Sequence, residues 1–137
     1  MTAVVPDSSV WVEYLRHGAQ GWAAEVADGI ERGEVLVCGP VLAELISGTS
    51  PETSERLWNR LSALPWAQLG RQAWHQVGSI RRKLLRAGTT VPLVDIAIAV
   101  AAMRAGAAVW TADSDFERIL EATDGLTIRY QRLNDRG

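Results

Sequence analysis

Asp7, Glu44, Asp95 and Asp113 lie far apart in the chain, yet each stands just past an expected strand or in the first turns of an expected helix. In a parallel α/β sheet those positions share one rim, beyond the carboxyl ends of the strands, where such sheets bind ligands. Four carboxylates on one rim repel one another. At ~4 Å and an effective dielectric near ~20, each pair costs about 4 kcal/mol. Protonation or a bound cation relieves that cost. An all-oxygen donor set selects a hard ion, Mg2+ or Mn2+, over zinc. Such an ion suits metal-assisted chemistry on a phosphodiester.

Taken singly, each acid also has a plain reading. Asp7 after a strand reads as a turn or cap residue, and Asp113 and Asp115 read as helix-start charges favoured by the dipole. Glu44 reads as a solvated helix residue. Asp95 is harder to reduce to a cap, because Ile96 to Met103 behind it carry no polar side chain. The joint placement carries the inference. Other chemistries fail on composition. His17 and His75 have no metal-ligand spacing to each other or to Cys38, the one cysteine, so a zinc site is not expected. Neither a GxxxxGK[ST] loop nor a GxGxxG turn is present. Ser8 and Ser9 lack a GxSxG setting.

The elements that must position these acids alternate along the chain. Val4 and Val5 suit a short buried strand ended by Pro6, and Ser8 or Ser9 suits the N-cap of a helix from Val10 to Arg16. Trp22 to Glu31 reads as a helix. Val35 to Cys38 reads as a buried strand, turned by Gly39-Pro40 into a short helix, Val41 to Ile46. Helices are expected over Glu52 to Leu64 and Arg71 to Ala87, with a short strand, Trp66 to Leu69, between them. Leu93 to Arg104 is apolar nearly all round and so central. Ala108 to Trp110 reads as a buried strand, followed by a helix ending at Glu121 and an edge strand within Thr127 to Leu133. This alternation predicts a three-layer α/β/α sandwich around a mostly parallel sheet.

The chain has 137 residues and 47% hydrophobic content, which predicts one domain over 1–137 with a sizeable core. The net charge of −2 means that nucleic acid would need a local basic patch. Arg71, His75, Arg82 and Arg86 fall on one stripe of the Arg71 to Ala87 helix, with Lys83 beside it. A phosphate-binding face and a solvated face fit that stripe equally. A lone cysteine and no leader-like start or membrane-length apolar run predict a cytoplasmic protein. Of six tryptophans, Trp66, Trp74 and Trp110 are expected in or beside the core, and Trp11, Trp22 and Trp58 part in core and part at interfaces.

Four segments in order, Val5-Pro-Asp-Ser-Ser-Val-Trp-Val-Glu13, Pro40-Val-Leu-Ala-Glu-Leu45, Val94-Asp-Ile-Ala-Ile-Ala99 and Thr111-Ala-Asp-Ser-Asp-Phe116, make the chain resemble a PIN domain, and more closely a VapC-type toxin. The resemblance covers nearly the whole chain. It implies a Mg2+- or Mn2+-dependent endoribonuclease that cuts structured RNA, commonly tRNA or rRNA, and so blocks translation. It implies a homodimer and a cognate VapB-type antitoxin that covers the site. It maps the acidic site onto Asp7, Glu44, Asp95 and Asp113, with Asp115 as a further metal-position acid and Ser8 and Thr111 as supporting hydroxyls. Pro6 departs from the usual aliphatic or polar residue and is expected to shift the Asp7 backbone slightly. Two alternatives stay open: a PIN-fold nuclease acting in RNA maturation or on DNA, which a gene without a neighbouring antitoxin would favour, and a non-catalytic RNA- or partner-binding module, which RNA binding without cleavage would favour.

Overall fold

The computed structural model describes residues 3–18 and 20–132. Its sheet has three parallel strands, β1 (Val4–Pro6), β2 (Ala108–Thr111) and β3 (Ile128–Tyr130), in that spatial order. Two further segments extend it on the β1 side through single parallel bridges, Val4 to Val35 and Val37 to Trp66. The expected strands Val35 to Cys38 and Trp66 to Leu69 are thus reduced to bridges. The first runs at once into a helix starting at Gly39. The second follows Pro65, which has no N–H to extend a ladder. Pairing is still real at both: Val37 N donates to Pro65 O at 2.9 Å and Ala67 N to Val37 O at 2.8 Å.

Counting these bridges, the order across the sheet is Trp66, Val37, β1, β2, β3. Sequence order reverses between β1 and β2, which makes that seam the topological switch point. The helices are α1 (Ser8–His17), α2 (Ala23–Glu31), α3 (Gly39–Ser47), α4 (Pro51–Leu61), α5 (Arg71–Arg86), α6 (Leu93–Arg104) and α7 (Asp115–Glu121). With right-handed crossovers, α1 to α4 cover one face and α5 to α7 the other. This is the expected three-layer arrangement. α4 stops at Leu61 rather than Leu64, because Pro65 disfavours helical backbone just before it. The expected edge strand is confined to Ile128–Tyr130, and Leu133 lies outside the described residues.

α6 sits against β1 and β2 and is buried from Ile96 to Ala102. Small alanines on this helix allow close approach to the sheet. α2 approaches the Val35 segment just as closely at Gly29, where an added Cβ would lie 2.9 Å from Val35 Cγ2. Trp11 and Trp110 are fully buried, whereas Trp74, expected near the core, is 48% exposed. Cys38 is a buried core residue, and burial pushes its thiol up to about 11. Among the described residues, no helix is long and apolar enough to cross a membrane.

Candidate metal centre at the sheet rim

Asp7 follows β1 directly and Thr111 ends β2, side by side at the switch point. Pro6 pairs with Trp110 without an N–H of its own, and Asp7 N donates to Trp110 O at 2.9 Å. The backbone at Asp7 therefore stays paired to β2 despite Pro6. Asp7, rather than Ser8 or Ser9, is the N-cap of α1: its Oδ1 accepts from Val10 N at 3.2 Å. The extended backbone of a strand end already suits a cap, so one short turn serves both purposes.

Three donors hold this carboxylate. Oδ1 also accepts from Ser9 Oγ at 2.5 Å, and Oδ2 accepts from Thr111 Oγ1 at 2.5 Å. Asp7 is only 5% exposed. Burial raises its pKa above the ordinary carboxylate value, the three hydrogen bonds oppose that rise, and the charge of Asp113 adds to it. Four lone-pair sites minus three donors leave room for one more partner on Oδ2.

Thr111 is the hub of the rim. While its hydroxyl donates to Asp7, it accepts from Asp113 N at 2.8 Å. Asp113 Oδ1 in turn accepts from Asp115 N at 2.9 Å, which fixes the start of α7. Glu44 reaches the rim from α3 and accepts from Ser8 Oγ at 2.6 Å. Both supporting hydroxyls expected from sequence, Ser8 and Thr111, thus sit on acids. Ser9 was missed: it donates to Asp7 while accepting from Ala112 N at 3.3 Å, tying β1 to the loop after β2. The Asp-Ser-Ser run was its only signal, and that run reads equally as a helix cap.

Asp95, in the first turn of α6, lies at the centre of the group. Burial raises its carboxyl from the ordinary 3.8 to about 7, with further upward pushes from Asp113, Glu44, Asp7 and Asp115. All five acids therefore share one field. Carboxylate oxygens of Asp95, Asp113 and Asp115 come within 4.8 Å of one another, a cluster able to hold a metal ion. The donors are all oxygen and partly open to solvent, which fits a hard divalent cation. Asp7 and Glu44 stand outside that tightest trio, each engaged by hydroxyls.

The basic stripe is divided. Arg82 and Arg86 line a shallow groove with Arg81 and Leu93, two residues before Asp95. Arg71 instead borders a separate groove with Arg104, at the far end of α6. Arg71 and Arg86 are fifteen residues apart along one helix, roughly 22 Å. Lys83 Nζ donates to Ala122 O at 3.2 Å, and His75 is exposed. On the other flank, Glu44 borders an apolar groove of about 600 Å3 lined by Trp66, Trp74, Leu93 and Val94.

The PIN domain family matches residues 4–121. Ribonuclease VapC11 of Mycobacterium tuberculosis is 31% identical over 126 residues, which cover 88% of this chain and 94% of that protein. Among solved structures, DNA-bound VapBC from Salmonella typhimurium matches with TM-score 0.75 and 26% identity over 95% of this chain and 98% of that one. VapBC2 from Rickettsia felis, bound to a promoter DNA fragment, matches with TM-score 0.74 and 18% identity over 96% of this chain and 100% of that one, a likeness of fold. The acids at the switch point and these similarities agree: the chain belongs to the PIN-domain family, in its VapC-type branch.

Proposed function

We propose that this protein is a metal-dependent endoribonuclease, a single PIN domain over residues 1–137 that acts as the toxin of a toxin–antitoxin pair. Its substrate is structured RNA, tRNA or rRNA, whose cleavage blocks translation in the cytoplasm. It works as a homodimer and is silenced by a cognate VapB-type antitoxin. The single observation that carries the catalytic reading is the meeting of the Asp95, Asp113 and Asp115 carboxylates within 4.8 Å of one another, where burial and like charge raise Asp95. Such a group binds either a proton or a cation near neutral pH. Similarity to a protein named a ribonuclease, and to structures of VapBC complexes, supports the substrate and partner assignments.

Asp7, Glu44, Asp95, Asp113 and Asp115 would hold Mg2+ or Mn2+. Bound there, the ion supplies Lewis-acid polarisation of a phosphodiester oxygen and an activated water at neutral pH. The chain's own contribution is to fix the acids in advance. Thr111, Ser9 and Val10 N hold Asp7, and Ser8 holds Glu44. Asp95 would serve as a ligand in its ionised form, with any proton it carries lost to solvent. Arg82 and Arg86, on α5 in the groove that Leu93 of α6 shares, would take RNA backbone phosphates, as forked guanidinium groups do well. Arg71, on the remote groove, is a weaker candidate for the same strand.

The test uses protein freed of any partner and total bacterial RNA, with Mg2+ or Mn2+, with EDTA, and with Asp95→Asn. Discrete fragments bearing 5′-phosphate and 3′-hydroxyl ends, lost with EDTA and in the variant, are expected. Ends of the 2′,3′-cyclic type would rule out this route. Intact RNA throughout, from folded and metal-loaded protein, would point to DNA or to a non-catalytic role.

A further inference from the structure

We infer that Tyr130 is an aromatic platform on which an RNA base stacks beside the acidic site, a substrate contact that rests on the ribonuclease reading above. Tyr130 is the last residue of the edge strand β3 and pairs directly with Thr111 on β2. Neighbouring strands lie about 4.8 Å apart, and register partners in a parallel ladder face the same side. Tyr130 therefore stands one strand from the hydroxyl that holds Asp7 and the Asp113 backbone.

Both ends of this placement are fixed. Alternation along β3 sends Arg129 to the opposite face. There its guanidinium lies 3.8 Å from the centre of the buried Trp110 ring and pairs with Glu25 of α2. β3 is thereby pinned from behind. On the site's side, the Tyr130 hydroxyl is engaged by the Glu117 carboxylate of α7 and feels the charge of Asp113. The phenol's polar end thus lies toward α7, while the residue remains 47% exposed.

Chemistry selects the ligand. Glu117, Asp113 and Asp115 outnumber Arg118, which pairs with Asp115 at 3.9 Å, so this flank is net acidic and a backbone phosphate is disfavoured here. A nucleobase is uncharged, and every base offers a π-face to an aromatic side chain. With Arg82 and Arg86 near the start of α6, the strand's phosphates have a cationic flank of their own. A base on Tyr130 would then fix where the chain crosses the acids.

The experiment measures binding of fluorescent oligoadenylate, and of an equally long oligomer of abasic tetrahydrofuran phosphates, to full-length protein in the uncut Asp95→Asn background with Mg2+. Tyr130→Leu is expected to weaken oligoadenylate binding about 5- to 150-fold and to leave abasic binding unchanged. Tyr130→Phe, which keeps the ring, retains binding. Equal loss on both oligomers, no loss, or no preference of the parent for bases overturns the inference. Cleavage by the unmutated protein is scored in parallel. Cleavage with binding indifferent to Tyr130 removes the platform alone. Base-dependent binding without cleavage keeps the platform and removes the nuclease reading.

Discussion

Asp95→Asn is expected to make the metal-free protein more stable, by an amount that depends on pH in a fixed sense. The folded chain raises this carboxyl from 3.8 to about 7. Between those values the native state holds a proton that the unfolded state has released. Its contribution to stability is therefore fully present below about pH 4 and is lost as pH rises to about 7. At ~1.4 kcal/mol per unit the whole shift corresponds to about 4 kcal/mol, and solvent screening of this half-open group reduces it to about 2 kcal/mol. Asparagine keeps the shape and carries no charge, so it escapes the loss. For a domain of this size, about 2 kcal/mol moves Tm by roughly 6–10 °C.

Thermal melts in EDTA at about pH 4 and about pH 8 test this. Parent and variant should nearly coincide at the lower pH, and the variant should melt higher at the upper one. Added Mg2+ should then raise the Tm of the parent and leave the variant almost unmoved. A Tm difference independent of pH, or a parent that melts higher at about pH 8 in EDTA, would refute the argument that burial and like charge govern Asp95.

Thr111→Val preserves shape at a site with no exposure but removes the donor to Asp7 and the acceptor for Asp113 N. A loss of about 1–3 kcal/mol is expected in chemical denaturation, and one under about 0.5 kcal/mol would show that Thr111 is not the hub of the rim. Two glycines within helices should respond in opposite directions. Gly29→Ala meets the buried, stiff Val35 at 2.9 Å, so the clash should outweigh the helix-propensity gain and destabilise by about 1 kcal/mol. Gly78→Ala meets nothing within 4 Å and should stabilise by about 0.5–1 kcal/mol. Charge reversal at Arg82 and Arg86 should weaken RNA binding and flatten its salt dependence. Reversal at Arg71 should do less, and equal effects would mean that RNA extends along the whole of α5.

The acids were legible because their positions follow from topology. Once strands and helices alternate, residues just past strands and at helix starts must meet at one end. The reduced strands were less legible. Val35 to Cys38 has strand composition, but its pairing depends on how soon Gly39 begins α3 and on Pro65 across the gap. The division of the basic stripe was hidden for a related reason. Helical periodicity shows which residues share a face but not which end of the helix meets the rim. That end is decided by the antiparallel packing of α5 on α6, where Arg104 Nε donates to Gln76 Oε1 at 2.8 Å. Trp74 lies on the same helix. An aromatic residue in an amphipathic stretch reads as core, yet the buried face is held by Ala73, Val77, Ile80 and Leu84.

Asp7 shows why stability and binding are joined in this fold. The same carboxylate caps α1, ties β1 to β2 through Thr111, and still offers one lone pair to the rim. Its geometry is therefore set by interactions the fold needs in any case. Asp95 is the complement. At the start of α6 the helix dipole favours its charge, yet burial and four acids outweigh that help. Whatever free energy the ionised cluster loses to its own repulsion is returned when a cation enters. The hydroxyls of Ser8, Ser9 and Thr111 hold Glu44 and Asp7 in place beside that cluster, so the rim keeps its acids together against their repulsion.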